Sequence, residues 1–292
     1  MSIKIITDSA SDIPNELAVK HDIEVIPLIV NLDDKEYLDG ESIQPEEVYT
    51  AIKNGKRPSS TQVPPSDFED IFDKYAIEGR ECLYIAFSSK LSGTCQTGKM
   101  VAEKINEKYN KKLIHVYDTL CGAVGQGLVA LKAAKLANEK AKLEEIIKTV
   151  KFYSSHMEHI FTIDDLNHLH KGGRLSQGEA FLGSLLKIKP ILHVKQGEMI
   201  PFEKIRGKTK ALRRIVEIME ERGTYVKNQI IGISHANDLK TALKLKEMIK
   251  EKLGHEKFMI NIVGGVLGCH IGLGGVAVFF LNEDPSTELA KT

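Results

Sequence analysis

The sequence contains no tryptophan, few aromatic residues and no excess of charge of either sign. Its 292 residues include 40 basic and 40 acidic side chains, so the whole chain has no field that would attract nucleic acid or an anionic membrane surface. The longest apolar runs, such as residues 276–281, are far too short to span a bilayer. The start, MSIKIITDS, lacks the basic segment and apolar stretch of a secretory signal. We therefore expect a cytoplasmic protein.

Cysteine is also scarce, and its four positions form no CxxC pair. They are Cys82, Cys95, Cys121 and Cys269. This scatter in a long chain predicts reduced thiols. The histidines that lie closest together in sequence are His156, His159, His168 and His170. No third and fourth ligand follows at the spacing that a structural metal site needs, so we expect these rings on the solvated surface and no bound metal.

Motifs of nucleotide-binding and hydrolytic enzymes are missing as well. The sequence has no GxxxxGK[ST] P-loop, no GxSxG nucleophile elbow and no GxGxxG opening a helix after the first strand. We therefore expect no nucleotide cofactor in this chain.

The first half of the chain alternates strand and helix signals. Short apolar runs bounded by polar turns predict strands at 3–7, 23–30, 82–87 and 113–117. Between and after them we predict helices at 66–75, 94–109 and 124–140, the first of them opened by a capping box of Ser66 and Glu69. Alternating strands and helices are typical of a parallel sheet flanked by helices, so the fold class is α/β.

The second half has a different pattern. Residues 191–194 and 199–204 flank Gln196-Gly197, a signature of a β-hairpin. Helices are predicted at 143–153, 209–221 and 239–253, and strands at 230–234, 258–263 and 276–281. The hairpin indicates a mixed or antiparallel sheet with helices. We expect two domains, residues 1–155 and 156–292, with a ligand between them.

Four polar segments follow predicted strands or connect helices, where open α/β sheets bind ligands. Residues 7–12, including Ser9, either cap a helix or line a cleft. Residues 58–65 form a proline-rich loop with three hydroxyls in succession. In residues 88–94, Ser92 is placed as an N-cap, and Gly93 permits close approach of a ligand to the backbone. This helix start is either an ordinary cap or an anion-binding site.

The fourth segment, residues 264–275, has six glycines around the single His270. Such a density of glycine is costly in entropy, which predicts unusual backbone dihedrals or close packing. We interpret His270, exposed between glycines, as a ligand contact rather than a structural residue.

In this order, the segments resemble the DegV family of bacterial fatty-acid-binding proteins, which includes the FakB subunits of fatty acid kinase. The resemblance spans nearly the whole chain. It is carried by TDSASDIP, RPSSTQVP, SSKLSGTCQ, HKGGRLS, KIKPIL, KIRGKTKAL and GCHIGLGG. The chain departs from the family pattern at Val63, inserted between Gln62 and Pro64, and at Leu273, where proline is usual; Ser60 and Thr61 are therefore taken as a pair.

The resemblance implies a long-chain fatty acid of the palmitate or oleate class, bound without other cofactors. Its carboxylate would be held by Ser92, His270 and either Ser60 or Thr61, a hydroxyl–imidazole site without a permanent lysine or arginine. Secondary pocket positions would be Ser9, Gly93, Thr94 and Gly268. The acyl chain would run into the second domain, along Phe181, Leu182, Leu185, Leu186, Ile188, Ile191 and Leu192.

In this family the bound acid is presented to a separate ATP-dependent kinase, which makes an acyl-phosphate. The resemblance therefore implies a lipid-binding kinase subunit rather than an enzyme in its own right, docking through Arg206, with Arg174 as the next candidate. Two alternatives stay open. One is a stand-alone hydrolase with Ser92 as nucleophile, His270 as base, and Asp8 or Asp118 as orienting acid. The other is a lipid-binding sensor without a kinase partner.

Overall fold

The computed structural model describes residues 2–177, 188–223 and 229–286. The strands are β1 (Lys4–Asp8), β2 (Ile23–Ile26), β3 (Ile29–Leu32), β4 (Lys35–Leu38), β5 (Ser59–Thr61), β6 (Cys82–Ala86), β7 (Ile114–Asp118), β8 (Met157–Thr162), β9 (Ile188–Lys195), β10 (Glu198–Arg206), β11 (Ile231–His235), β12 (Phe258–Ile262) and β13 (Val276–Leu281). The helices are α1 (Asn15–Lys20), α2 (Pro45–Lys53), α3 (Pro65–Ile77), α4 (Thr94–Lys108), α5 (Ala123–Asn138), α6 (Leu143–His156), α7 (Asn167–Lys171), α8 (Lys208–Arg222), α9 (Leu239–Leu253) and α10 (Gly265–Ile271).

The first sheet is parallel, with strand order β2-β1-β6-β7, which confirms the predicted α/β class. Every residue of β1 and β6 is buried, as expected for strands covered on both faces. Because side chains alternate along a strand, Ile6 and Tyr84 join a core with Phe68 of α3, whereas Ile5 packs in a second core with α5.

A small antiparallel sheet, in the order β4-β3-β5, was not predicted. The run 23–30, predicted as one strand, is divided between two sheets: β2 belongs to the parallel sheet and β3 to the small one. Pro27 lies at the break between the two strands. Proline has no N–H to donate to a neighbouring strand, so it is tolerated where pairing stops. The next amide, of Leu28, donates to Ser9 Oγ at 3.1 Å. The small sheet positions β5, and therefore the hydroxyls of Ser60 and Thr61.

The second sheet is mixed, as predicted, with strand order β10-β9-β8-β13-β11-β12. Strands β11 and β12 are parallel, and the other neighbours are antiparallel. The predicted hairpin is confirmed between β9 and β10. Its turn residues Gln196 and Gly197 have φ angles of 51° and 85°, the left-handed pair that a tight two-residue hairpin requires.

Helix α5 lies between the two large sheets and contacts strands of both. Its residues are apolar around nearly the whole circumference, as expected for a helix that is buried in the core. Gly125 permits the approach of the second sheet, because a Cβ there would lie 2.6 Å from His159 Nε2. Gly127 permits the approach of the turn that follows β1, because a Cβ there would lie 2.6 Å from the Ser11 carbonyl oxygen. The division of domains after residue 155 stays a prediction.

Several local predictions were wrong. Ser66 and Glu69 form no capping box: α3 begins at Pro65, and Ser66 Oγ donates to Asp67 instead. The N-cap of α4 is Gly93 rather than Ser92. His159 is buried against the Phe279 ring and is not solvated. The four cysteines are free thiols, as predicted, and all are buried. Among the described residues, no group of side chains could hold a metal ion, and no helix has the length and apolarity to cross a membrane.

For the glycine-rich segment 264–275, one of the two predicted alternatives, close packing, is confirmed. The first half of the segment is the helix α10, and only Gly272 and Gly274 have positive φ angles. The glycines of α10 instead permit close packing: a Cβ at Gly268 would lie 3.0 Å from the Tyr49 hydroxyl. Close packing, not unusual dihedrals, accounts for most of these glycines.

Candidate carboxylate site

Four predicted site residues line one pocket, which we call the carboxylate pocket after its predicted ligand. It lies where β5, the start of α4 and α10 meet. Its lining consists of Leu28, Ser60, Thr61, Gln62, Phe87, Leu91, Ser92, Arg174, Met199, Val266, Leu267 and His270. The structure therefore brings Ser60, Thr61, Ser92 and His270 together from segments up to 210 residues apart.

His270 is the polar centre of this pocket. Its Nε2 lies 2.8 Å from Ser60 Oγ, within hydrogen-bond distance. Burial, helped by the charge of Arg174, lowers the pKa of His270 to about 4. The imidazole is therefore neutral near pH 7, and it can donate one hydrogen bond without bringing a charge of its own.

Ser92 lines the pocket immediately before α4. Its Oγ accepts a hydrogen bond from the Thr94 amide at 3.2 Å and lies 2.9 Å from Thr94 Oγ1. The Ser92 hydroxyl thus remains near the positive end of the α4 dipole, which favours an anion. Thr94 supports Ser92 and is not itself among the lining residues.

Gly93 permits close packing of the Gln62 side chain, not of a ligand. A Cβ at Gly93 would lie 2.1 Å from Gln62 Oε1. Gln62 in turn donates from Nε2 to Thr97 Oγ1 at 2.9 Å, which ties the hydroxyl-bearing loop to α4. Gly93 therefore sets the distance between two walls of the pocket.

Arg174 was considered a docking residue, but its side chain lies in the carboxylate pocket. Its Nε donates to the Leu91 carbonyl at 3.0 Å, and one terminal nitrogen donates to the Gly172 carbonyl at 2.6 Å. A guanidinium has five N–H donors, so donors remain for an anion. The expectation of a pocket without a permanent cation was wrong.

Two secondary positions lie elsewhere. Ser9 Oγ donates to Asp39 at 2.9 Å, behind α10, and Gly268 packs on Tyr49. Asp39 also accepts from the Gly265 amide at 2.9 Å, at the start of α10. Burial raises the pKa of Asp39. Neither Ser9 nor Gly268 lines the carboxylate pocket; both belong to the packing that holds α10, and so His270, in place.

An apolar chamber adjoins the carboxylate pocket and shares four lining residues with it: Phe87, Leu91, Met199 and Leu267. It is walled by the second sheet, by α10 and by the start of α5. Its other lining residues are Gly122, Ala123, His159, Phe161, Val194, Ser234, Val263, Ile271, Val276, Ala277 and Phe279. Together the two pockets are therefore polar at one end and apolar at the other.

The predicted acyl tunnel differs from this chamber. Phe181, Leu182, Leu185 and Leu186 lie outside the described residues. Ile188, Ile191 and Leu192 are not in the chamber lining, and Ile191 packs in a core beneath α8. The chamber residues were missed because they come from separate strands whose apolar side chains look like an ordinary core in sequence.

The acids needed by the hydrolase alternative are occupied elsewhere. Asp8 accepts from the Tyr84 hydroxyl at 2.6 Å and the Phe87 amide at 2.9 Å. Asp118 accepts from the Ser89 and Leu120 amides, each at 3.2 Å. The only side-chain hydrogen bond of His270 to the described residues is with Ser60, so no carboxylate among them orients the ring.

Arg206 ends β10 and is exposed. It has no ion pair or hydrogen bond with side chains in the part of the chain that the structure describes, and it lies opposite Ile188 in the hairpin. Its exposure is compatible with either a solvated surface or a docking surface.

The chain resembles known proteins along almost its whole length. Residues 2–283 match the family described as "Uncharacterised protein, DegV family". A DegV domain-containing protein of Clostridium perfringens is 38% identical over 282 residues, which cover 96% of this chain and 97% of that protein.

Solved structures agree with this likeness. A DegV family protein from Thermus thermophilus, described as binding fatty acid, has a TM-score of 0.88 at 30% identity and covers 96% of this chain and 99% of its own. DegV from Bacillus subtilis, described as a fatty acid binding protein, has a TM-score of 0.84 at 33% identity, covering 96% and 98%.

Proposed function

This chain belongs to the DegV family, and we propose that it binds one long-chain fatty acid in the cytoplasm and presents the carboxylate to a separate ATP-dependent kinase. The single observation that carries the proposal is a pocket with Ser60, Ser92, Arg174 and His270 that shares a wall with an apolar chamber. A polar end with one cation and a long apolar end match the two halves of a fatty acid.

The carboxylate end offers charge-assisted hydrogen bonds. Arg174 supplies the positive charge, and the hydroxyls with the neutral His270 supply further donors. We therefore propose that Arg174 binds the carboxylate and does not dock the kinase. Arg206 remains the proposed docking residue. Thr61 and Ser60 are adjacent on β5, and Ser60 is the one that contacts His270.

The apolar end supplies most of the affinity. A buried methylene contributes about 0.8 kcal/mol, so a chain of the palmitate or oleate class gains on the order of 10 kcal/mol before the costs of association. The chamber has about 60 Å³ of free space, whereas small-molecule pockets usually have roughly 300 Å³ or more, so its side chains must move apart to admit the chain. Met199, which lines both pockets, is the most adaptable of them.

In the proposed reaction a carboxylate oxygen attacks the terminal phosphorus of ATP, the bond from that phosphorus to the bridging oxygen breaks, and ADP leaves. The kinase supplies ATP and the groups that bind it. The experiment mixes the purified, lipid-loaded chain with its kinase and ATP and measures acyl-phosphate. The proposal expects turnover that depends on both proteins. Fatty acid in the pocket with no turnover would instead support a sensor without a kinase partner.

The hydrolase alternative has less support, because Asp8 and Asp118 hold backbone amides and do not face His270. Release of alcohol from an ester substrate by the isolated chain, lost in a Ser60→Ala or Ser92→Ala variant, would revive it.

A further inference from the structure

A second polar cleft, which we call the basic groove, lies on the other side of His270 from the carboxylate pocket. It encloses about 290 Å³, near the lower end of ordinary ligand pockets. The residues that give it its chemistry are Lys56, Arg57, Ser59, Asp165, His168 and Lys171. His270 lines both the groove and the carboxylate pocket.

The groove carries an excess of positive charge. Lys56 forms an ion pair with Asp33, which is not among the groove residues. Arg57 and Lys171 are exposed and have no ion pair or hydrogen bond between their side chains and the residues that the structure describes. The one carboxylate among the described lining residues, of Asp165, accepts two hydrogen bonds from Asn167, at 2.9 and 2.7 Å. Two such cations in a concave site favour an anion.

The groove is directly beside the atoms that hold the proposed carboxylate. Ser59 and Ser60 are consecutive residues of β5, with Cα atoms about 3.8 Å apart and side chains on opposite faces of the strand. Ser59 lines the groove, while Ser60 Oγ lies 2.8 Å from His270 Nε2 in the carboxylate pocket. One strand and one imidazole ring therefore form the wall between the two sites.

We propose that the basic groove binds a phosphate group, carried either by the nucleoside triphosphate donor or by the acyl-phosphate product. This inference rests on the proposed function, since phosphoryl transfer to the carboxylate brings a second anion next to the first. Cations at that position offset the charge that collects on the transferred group. Arg57 can form paired hydrogen bonds to phosphate oxygens, and Lys171 provides a point charge. The Ser59 hydroxyl and the second N–H of the Asn167 side-chain amide, which is not used by Asp165, supply neutral donors.

The test titrates the fatty-acid-loaded full-length chain with inorganic phosphate and, separately, with ATP, by calorimetry at low salt. The Arg57→Ala/Lys171→Ala double variant should bind the effective probe at least about tenfold more weakly, because charge-assisted hydrogen bonds are lost. The matched control is Lys111→Ala/Lys112→Ala, which removes two exposed cations before β7, and it should bind as wild type does. Binding of phosphate itself indicates the product as the source; binding of ATP alone indicates the donor.

The proposal is overturned if wild type binds neither probe, if the groove variant binds as tightly as wild type, or if both double variants weaken equally. Mass spectrometry of lipid extracted from the same samples separates the two claims. Samples that contain no fatty acid and take up none refute the proposed function, whereas the phosphate titrations report on the groove alone.

Discussion

Replacing Gly172 with alanine should reduce fatty-acid affinity without unfolding the protein. Gly172 follows α7 with φ −75° and ψ −7°, a conformation that alanine adopts without strain. The added Cβ would lie 2.4 Å from His270 Nδ1 and 3.1 Å from the His168 carbonyl oxygen. The contact with the His168 carbonyl needs only a small shift, but the contact with Nδ1 forces the His270 imidazole to move.

The magnitude follows from the contacts of that ring. Moving His270 breaks its 2.8 Å contact with Ser60 and withdraws one donor from the carboxylate. A hydrogen bond to a charged group contributes about 1.5–3 kcal/mol, so affinity for palmitate should fall about 10- to 150-fold. The assay is calorimetric titration of delipidated protein with palmitate, with thermal unfolding recorded on the same samples.

The neighbouring glycine provides the control. Gly173 has φ 68°, and no atom lies within 4 Å of the position that a Cβ would occupy there. Gly173→Ala should therefore cost roughly 1 kcal/mol of stability through backbone strain and lower Tm by a few degrees, while palmitate affinity stays at the wild-type value. Wild-type affinity in Gly172→Ala, or equal losses in both variants, would refute the claim that the His270 ring position controls binding.

Three further predictions concern the site, its partner and the core. Ser92→Ala and His270→Ala should each weaken palmitate binding about 10- to 150-fold with little change in Tm, and a fatty alcohol should bind wild type poorly; palmitate titrations that match wild type would contradict the headgroup assignment. Arg206→Ala should keep its bound fatty acid and its Tm but lose most acyl-phosphate formation with the kinase, because the side chain is exposed and away from the carboxylate pocket; unchanged turnover would make Arg206 ordinary surface. Burial raises the pKa of Asp8 to about 6 from 3.8, so between pH 3.8 and pH 6 the folded state binds more protons than the unfolded state. The stabilisation from protonated Asp8 is therefore complete below pH 4 and is lost as pH rises through 6. The unfolding free energy of wild type relative to Asp8→Asn should accordingly fall by about 2 kcal/mol from pH 4 to pH 7 in urea titrations, and a pH-independent difference would contradict it.

The parallel sheet could be predicted because its strands are short apolar runs buried on both faces. β1, β6 and β7 were placed to within a residue or so at each end for this reason. The small sheet could not be predicted in the same way. Its strand β5 has three residues, and pairing with Val30 and its neighbours, not intrinsic propensity, makes Ser59–Thr61 a strand.

Tertiary packing also explains the other misses. Helix α10 was not predicted, because Gly265 and Gly268 are needed where Asp39 and Tyr49 approach the helix, and no local pattern reveals this packing. Arg174 could not be assigned to the carboxylate pocket because the carbonyl that holds it, of Leu91, is 83 residues away in sequence. Ser60 and His270 were predicted as site residues from the resemblance, and the structure places them in contact.

The most direct test of the central claim is carbon-13 NMR of palmitate labelled at its carboxyl carbon and bound to the full-length protein. A carboxylate beside the Arg174 guanidinium should show one bound resonance that stays at the ionised position down to about pH 5, since a nearby positive charge lowers a carboxyl pKa. In Arg174→Gln the bound resonance should titrate at higher pH, and affinity should fall. No bound resonance in wild type, or one that titrates identically in Arg174→Gln, would contradict a fatty-acid carboxylate in this pocket.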